Sequence, residues 1–263
     1  MSFKLQAYRN LTQRLGYYDS ITELNELAIR EVIKNAEEYG SPQDYIENLS
    51  KKHGIYVNLP RFTEKLGNTM AQSYIITVYQ SAELFLQEYK DEHREQISGK
   101  HWSYSDQLGS KLSQAIIHTN EEFDYENNLS YKLFEYYRFI RNNITHPSGS
   151  KKNLDTLHKE IMTYEDEIKE KFGGTVPNKI EDICFDDFIL FTKVLKEIGS
   201  LLCSLAEPSP EELIQLVGKP FRKIRNDKKK LEKSISNHLR TKFSLTPEEI
   251  TVILNQVDIL KII

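Results

Sequence analysis

Residues suited to acid–base and phosphate chemistry are concentrated in one short stretch, YYRFIRNNITHPSGS, at positions 136–150. Two arginines, two asparagines and a histidine fall within 138–146, and Pro147 follows directly. A guanidinium is a permanently charged, forked donor, an amide both donates and accepts hydrogen bonds, and an imidazole exchanges protons near neutral pH. Together these groups are suited to holding a phosphate and moving a proton beside it.

Helical periodicity separates this segment into two faces. Four apolar residues share one face and are predicted to pack inward: Leu133, Tyr137, Ile140 and Ile144. Four polar residues share another face: Arg138, Arg141, Asn142 and Thr145. Because a residue before proline is disfavoured in the α conformation, His146 is predicted to leave the helix, and its imidazole could then turn toward Arg141. In the alternative, Arg141 and Asn142 satisfy terminal carbonyls and His146 caps the helix end.

The composition indicates a folded, helix-rich protein. Of the 263 residues, 39% are apolar and 28% charged, with only 11 Gly and 8 Pro, which argues against a disordered or fibrous chain. No apolar run is long enough to cross a bilayer, and the opening MSFKLQAYRN lacks the apolar core of a signal peptide. Both cysteines, Cys184 and Cys203, lie in apolar stretches and are predicted to be buried thiols in a reducing compartment. A cytoplasmic location follows as a prediction, with no membrane partner.

An all-α fold is predicted, because apolar residues recur at helical spacing and no segment alternates with period two for long. A capping box at Ser20 and Glu23 predicts a helix to about residue 39, and Ser41 and Gly54 bound the next one. Ser209 and Thr246, each followed by proline and glutamate, predict two more helix starts. The remaining helices are predicted at 59–89, 104–118, 130–145, 154–172 and 182–205.

Breaks in the helical pattern near residues 54–60 and 207–210 suggest three parts. These are an N-terminal helical extension at 1–58, a central helical bundle at 59–206 and a C-terminal helical segment with a basic helix at 207–263. The very polar stretch near 152–174 is interpreted as a helical insertion in the central bundle.

The six residues RNNITH, from Arg141 to His146, resemble the R-x4–6-H signature of the HEPN superfamily of helical bundles, in the form with a polar residue after the arginine. The order of an aromatic-rich helix followed later by an apolar one, CFDDFILFTKVLKEIGSLLCSL, is also similar to that family. Arg94 and His101 satisfy the loose pattern too. They are interpreted as coincidental, because a chain of this composition is expected to contain that pattern about once by chance.

The resemblance implies a metal-independent endoribonuclease that needs no cofactor. Arg141 would stabilise the phosphate, and His146 would exchange a proton with the ribose 2′-hydroxyl or the leaving 5′-oxygen. Asn142 would orient the phosphate or hold His146 in place. Substrate binding is assigned to three neighbours: Arg138, Thr145 and Asn143. Some family members tie down the arginine with an upstream acidic residue, whereas helical spacing pairs Glu135 of this chain with Arg138.

Partners are also implied by the resemblance. HEPN nucleases generally pair two motifs across a dimer, so one motif in this chain implies a homodimer acting on RNA, as a toxin or phage-defence effector. An antitoxin or other regulatory protein would be a further partner. Other family members are non-catalytic, and the alternative function is therefore a helical module that binds a partner protein or a nucleotide.

Positive charge is concentrated near the C-terminus. Eight Lys or Arg residues and two carboxylates occupy positions 219–233, a local net charge of +6 in a chain whose formal net charge is −4. A basic patch on an acidic body can bind phosphates selectively. The predicted RNA-contact patch comprises Arg222, Lys223, Arg225, Lys228, Lys229 and Lys230. The alternatives are a solvated helix face and a DNA-binding helix over residues 219–240.

Overall fold

The computed structural model describes residues 2–57, 66–146 and 152–262, and leaves out the side chains of residues 152 and 153. Within these ranges all regular secondary structure is helical and no strand occurs, which confirms the predicted all-α class. The part of the predicted third helix at 59–65 lies outside the described residues.

Twelve α-helices lie in the described part of the chain. Three short helical segments of other types accompany them: a π-helical turn, His93–Ser98, which directly follows α3, and 3-10 turns at Ile180–Asp182 and Lys219–Ile224. The α-helices are α1 Gln6–Glu38, α2 Pro42–His53, α3 Leu66–Glu92, α4 Lys111–Thr119, α5 Leu129–Thr145, α6 Lys152–Met162, α7 Glu165–Phe172, α8 Phe185–Leu205, α9 Pro210–Gly218, α10 Lys228–Phe243, α11 Pro247–Gln256 and α12 Ile259–Ile262.

Several predicted helix ends are confirmed. Ser41 caps α2 by accepting a hydrogen bond from the Asp44 backbone, and Gly54 ends that helix in the left-handed conformation at φ 66°. Ser209 and Thr246 each form a complete capping box, with a glutamate at the third helical position, at the starts of α9 and α11. These ends are set by contacts within a few residues, which is why the sequence shows them.

The predicted helix start at Ser20 is wrong, since α1 runs unbroken from residue 6 to residue 38. The Ser20 hydroxyl donates to the carbonyl oxygen of Gly16 at 3.1 Å. A serine inside a helix commonly donates to the carbonyl four residues earlier. The Ser20 hydroxyl does so here, and it does not cap a helix start.

The helix predicted at 104–118 begins only at Lys111. Gly109 has a positive φ of 87° and Ser110 caps α4, accepting a hydrogen bond from the Ser113 backbone at 3.2 Å. The Gln114 side chain bonds to backbone groups of Ser105 and Gly109, at 2.8 Å and 3.1 Å. Side-chain contacts therefore hold residues 105–109 in a loop despite their helical periodicity.

Two other predicted helices are interrupted. The stretch 154–172 forms α6 and α7, separated by a turn in which the Tyr164 backbone donates to the Ile161 carbonyl at 2.9 Å. Its polar sequence still has a buried side, made by Leu154, Ile161, Ile168 and Phe172. Residues 219–240 form a 3-10 turn and most of α10, because Asp227 caps a new helix by accepting from the Lys230 backbone at 3.0 Å.

The chain forms two compact units, each assembled from separate stretches. One comprises 1–13, 82–126 and 196–263, and the other 14–81 and 127–195. In the first unit, Phe3 stacks on Phe243 at 5.0 Å and the Leu5 backbone donates to the Cys203 thiol at 3.4 Å. The second unit has an aromatic core in which Phe191 packs against Phe134 and Tyr137. The domain limits predicted at 58 and 206 stay a prediction.

None of the helices in the described ranges combines the length and the apolar character that crossing a membrane requires. Cys203 is buried, as predicted, and burial raises the pKa of its thiol to about 12. Cys184, directly before α8, is only half-buried, and burial again raises its thiol pKa. Raised thiol pKa values mean that both side chains are protonated and weakly nucleophilic at neutral pH.

Candidate functional site

Helix α5 carries the arginine, asparagine and histidine of the motif. Asn128 caps its start by accepting a hydrogen bond from the Tyr131 backbone at 3.0 Å. Leu133, Tyr137 and Ile140 are fully buried, whereas Ile144 is half-buried in the last turn. The predicted inward-facing stripe is therefore confirmed over most of the helix, and it fixes the orientation of the polar face.

A buried carboxylate, Asp187, ties α5 to the start of α8. The Tyr137 hydroxyl donates to it at 2.9 Å, and it also accepts from the Asn178 backbone, the Asn178 amide and the Cys184 backbone, at 2.9, 2.9 and 3.0 Å. Asp187 has no exposed surface, so these four donors replace its hydration. Burial, followed by the nearby Asp187 charge, raises the pKa of Tyr137 well above its usual value.

Tyr136, beside it, is anchored to the chain that follows α7. Its hydroxyl donates to the Asn178 carbonyl at 2.5 Å, and its ring centroid lies 5.8 Å from that of His158 on α6. Burial raises the pKa of Tyr136 too, so both tyrosines remain protonated donors at neutral pH. Asn178, bonded to Asp187 and to Tyr136, thus joins the two anchors of α5.

The Arg141 guanidinium is held from two sides. One of its nitrogens, Nη1, donates to the Asn142 amide oxygen at 3.1 Å, and its central carbon lies 5.0 Å from the centre of the Tyr79 ring. Tyr79, on α3, is buried and packs against Phe134 with ring centroids 6.1 Å apart. A ring fixed in this way restricts the guanidinium, which remains only half-buried.

Arg138, predicted to bind substrate, is engaged in an ion pair. Its guanidinium donates two hydrogen bonds to one Glu135 oxygen, at 2.9 Å and 2.6 Å, and lies 4.3 Å from the centre of the Phe139 ring. The predicted pairing of Glu135 with Arg138 is confirmed. Much of the Arg138 charge is therefore offset within the helix by the Glu135 carboxylate.

The other two predicted substrate-binding residues bond to the helix backbone. The Asn143 amide donates to the Phe139 carbonyl at 3.0 Å, and the Thr145 hydroxyl donates to the Arg141 carbonyl at the same distance. The Asn143 oxygen is buried and has no hydrogen-bond partner in the described part of the chain. Thr145 is exposed at the last turn, beside His146.

His146 leaves the helix, as its position before Pro147 predicts. Its backbone has φ −134° and ψ 75°, and its N–H donates to the Asn142 carbonyl at 2.8 Å. The residue is exposed, and its imidazole has no hydrogen bond to any described residue. Residues 147–151 lie outside the described ranges. A turn of the imidazole toward Arg141 stays a prediction.

The predicted RNA-contact patch is exposed at all six positions: Arg222, Lys223, Arg225, Lys228, Lys229 and Lys230. Arg222 and Lys223 belong to the 3-10 turn, and the three lysines form the first turn of α10. The Arg225 guanidinium donates to the Leu260 carbonyl, and Lys228 lies 3.8 Å from the Glu232 carboxylate. Most of the positive charge in this patch therefore faces solvent.

Tyr79 and Asp187 contribute to the site, and sequence reasoning missed both. Tyr79 lies on another helix and nothing in its local sequence connects it with Arg141. Asp187 did have a local signal, since a carboxylate in the first turn of an apolar helix often binds backbone N–H groups there. Its bond to Tyr137 arises only in the folded chain.

Comparison with known proteins found no relative of this chain. No protein-family model matches the chain, and neither the curated proteins nor the solved structures contain a match. The geometry on α5 and the types of its residues therefore carry the functional argument.

Proposed function

We propose that this protein is a metal-independent endoribonuclease whose site comprises Arg141, Asn142 and His146 at the end of α5. The observation that carries the proposal is that one helix end bears both a restrained guanidinium and an exposed imidazole. Arg141 is fixed by Asn142 and the Tyr79 ring, while His146 has left the helix and faces solvent. The resemblance of RNNITH to the HEPN signature supports the same assignment.

The chemistry follows from what RNA itself supplies. The ribose 2′-oxygen attacks the adjacent phosphorus, a P–O2′ bond forms, and the bond to the 5′-oxygen breaks. One histidine accepts the 2′-hydroxyl proton and another donates a proton to the leaving oxygen. Arg141 offers its forked donors to the phosphate oxygens as negative charge develops. The products carry a 2′,3′-cyclic phosphate and a 5′-hydroxyl, so the proton count balances.

Two histidines are needed if one acts as base and the other as acid, which favours a homodimer with one His146 from each subunit. The unit that contains α5 also exposes apolar side chains along one face of α1. Tyr17, Leu24 and Leu27 are 67%, 66% and 67% exposed. Exposed apolar clusters are typical of interaction surfaces, and this face is the proposed contact between subunits.

RNA binding beyond the cleaved phosphate is assigned to the exposed basic patch at 222–230. Its charge attracts any RNA backbone, so it would contribute affinity more than sequence preference. An antitoxin or other regulatory protein is part of the proposal, because an unrestrained ribonuclease arrests growth. A cytoplasmic location is proposed with it.

Expression in a bacterial host tests the function in a cell. We expect the wild-type chain to arrest growth and degrade RNA, and Arg141→Ala or His146→Ala to abolish both effects at equal protein levels. His101→Ala is the matched control, because it removes the histidine of the coincidental pattern, and it should remain toxic. If growth and RNA integrity are the same for all four chains, the alternative of a non-catalytic binding module is favoured.

A further inference from the structure

A second site is suggested by a cavity of about 780 Å³ in the unit formed by residues 1–13, 82–126 and 196–263. The π-helical turn His93–Ser98 forms one wall, and the ends of α4 and α8 with the start of α9 contribute others. The volume lies within the range of small-molecule pockets. No residue of α5 lines this cavity.

Two side chains on the π-helical turn line the cavity and carry polar atoms without partners. His93 is only 3% exposed, and its Nδ1 has no hydrogen bond within the described residues. The buried side-chain oxygen of Gln96 likewise has no described partner. Buried polar atoms are nearly always hydrogen-bonded, and exceptions are often functional. The His93 imidazole and the Gln96 amide, on the same wall of the cavity, thus each carry a buried polar atom without a hydrogen-bond partner.

His93 is suited to donate a hydrogen bond from Nε2. Burial, followed by the charge of His118, lowers the pKa of the His93 imidazole, so the ring is neutral at pH 7. A neutral imidazole carries one proton. Buried N–H groups without an acceptor are rarer than buried acceptors without a donor, so we assign the lone pair to Nδ1 and the proton to Nε2.

The charged groups of the wall favour an anion. Lys100, Lys219 and Lys242 line the cavity, and none of them forms an ion pair with a described carboxylate. The ammonium of half-buried Lys242 has a pKa lowered by burial, which Glu92 only partly opposes. A negatively charged ligand would restore the lost stabilisation of that ammonium.

The carboxylates of the same wall already have partners or are less readily ionised. Glu95 pairs with Arg94 at 2.9 Å, and Glu212 accepts hydrogen bonds from the Ser209 backbone and hydroxyl, each at 2.9 Å. Burial raises the pKa of Glu207, which disfavours its charged form. The lining has as many lysines as glutamates, but the glutamate charges are largely offset by other contacts or reduced by burial. The lysine charges are offset less, so the cavity favours an anion.

A smaller pocket of about 210 Å³ shares Lys219 and Gln215 with the cavity and adds Arg222. Arg222 thus adds a further positive side chain beside Lys219. The cavity wall also has apolar parts, among them Ile97, Leu205 and Leu216. The exposed imidazole of His118 stacks on Trp102 with ring centroids 4.5 Å apart, which gives the wall a flat, fixed ring. The lining therefore combines ammonium groups with apolar and flat side chains, which suits an organic phosphate.

We propose that this cavity binds a small organic phosphate of mononucleotide size. The phosphate is held by Lys219 and Lys242, the Nε2–H of His93 donates to one of its oxygens, and the organic part contacts the apolar wall. Lysine binds phosphate as a point charge, without the planar geometry that arginine requires. This site is independent of the proposed ribonuclease site, and either assignment can fail without the other.

Isothermal titration of the full-length chain with AMP tests the proposal, with adenosine as the ligand that lacks the phosphate. We expect AMP to bind and adenosine to bind at least about tenfold more weakly, as expected for loss of a charge-assisted contact. Lys219→Gln combined with Lys242→Gln should weaken AMP binding by a similar factor. The matched control removes two exposed lysines that line neither pocket, Lys233→Gln with Lys261→Gln, and should retain the AMP affinity of the wild type.

His93→Gln provides a second variant that leaves the net charge near neutral pH unchanged, and it should also weaken AMP binding. Circular dichroism confirms that each variant is folded before titration. Failure of AMP to bind at millimolar concentration overturns the proposal. So does equal affinity for adenosine, an equal loss in the control double variant, or wild-type affinity in both cavity variants.

Discussion

The Arg141 guanidinium lies 5.0 Å from the centre of the buried Tyr79 ring, and its Nη1 donates to the Asn142 amide oxygen. The side chain proposed to stabilise the phosphate is therefore restrained by one neighbour on its own helix and one on α3. Restraining such a group before substrate binds lowers the entropy lost in reaching the transition state.

Replacing Tyr79 tests the importance of this restraint for catalysis. Tyr79→Leu removes the ring face, and since a cation–π contact is worth about 0.5–2 kcal/mol, we expect RNA cleavage to fall by roughly 3- to 30-fold. Tyr79→Phe keeps the ring and should retain most of the activity. The measurement is kcat and KM for RNA in protein shown to be folded. Equal activity of the leucine and phenylalanine variants would show that the ring does not position Arg141.

The bond from Tyr137 to Asp187 is expected to stabilise the fold. Tyr137→Phe removes one of four donors to a fully buried carboxylate, so the free energy of unfolding should fall by about 1.5–3 kcal/mol, as for hydrogen bonds to charged groups. Tyr17→Phe, at a hydroxyl on a 67% exposed residue, should change it by less than about 0.5 kcal/mol. Urea unfolding of both variants measures the difference. A loss in Tyr137→Phe no larger than in the control argues against the anchor.

A close approach of α1 and α8 makes Gly199 necessary. A Cβ at Gly199 would lie 2.5 Å from Cδ2 of Tyr8. Gly199→Ala should therefore cost about 1–3 kcal/mol, as overpacking does. Gly16→Ala is the matched control, because a Cβ there meets nothing within 4 Å and alanine is the better helix former. It should stabilise the chain by about 0.5–1 kcal/mol. Thermal unfolding that ranks the two variants in the opposite order would contradict the predicted packing.

Burial of His93 predicts a dependence of stability on pH. Burial lowers the pKa of this imidazole in the folded state, so the unfolded chain, in which histidine titrates near pH 6.5, takes up the proton more readily. The contribution of His93 is fully present above about pH 6.5 and is lost as pH falls toward its lowered folded-state pKa.

The change in urea midpoint between pH 7.5 and pH 5.5 measures this effect. We expect a larger fall for the wild type than for His93→Gln, while His101→Gln, at an exposed position, should behave as the wild type. If the wild type and His93→Gln lose the same amount, His93 does not titrate in the way that its burial predicts.

The sequence was sufficient at several positions where structure depends on neighbouring residues. The helix class, the caps at Ser41, Ser209 and Thr246, and the exit of His146 from α5 all follow from side-chain and proline effects within a few positions. The pairing of Glu135 with Arg138 is of the same kind. The inward stripe of α5 was also predictable, because burial follows helical period.

The remaining features depend on contacts between residues distant in sequence. The ring beneath Arg141 and the hydroxyl bonded to Asp187 have no local signal, and neither has the assembly of two units from interleaved stretches. Local signals also misled at Ser20, whose hydroxyl bonds within an unbroken helix, and at Tyr104, where the Gln114 side chain holds a loop. In both cases a hydrogen bond from a side chain to the backbone overrode the local helix signal.

Cleavage of RNA by the purified chain in the presence of EDTA is the most direct test of Arg141 and His146 as a catalytic pair. The proposal predicts fragments with 2′,3′-cyclic phosphate and 5′-hydroxyl ends, formed at the same rate with and without EDTA, and no fragments with Arg141→Ala or His146→Ala. Cleavage that EDTA abolishes, or that survives in both variants, would contradict it.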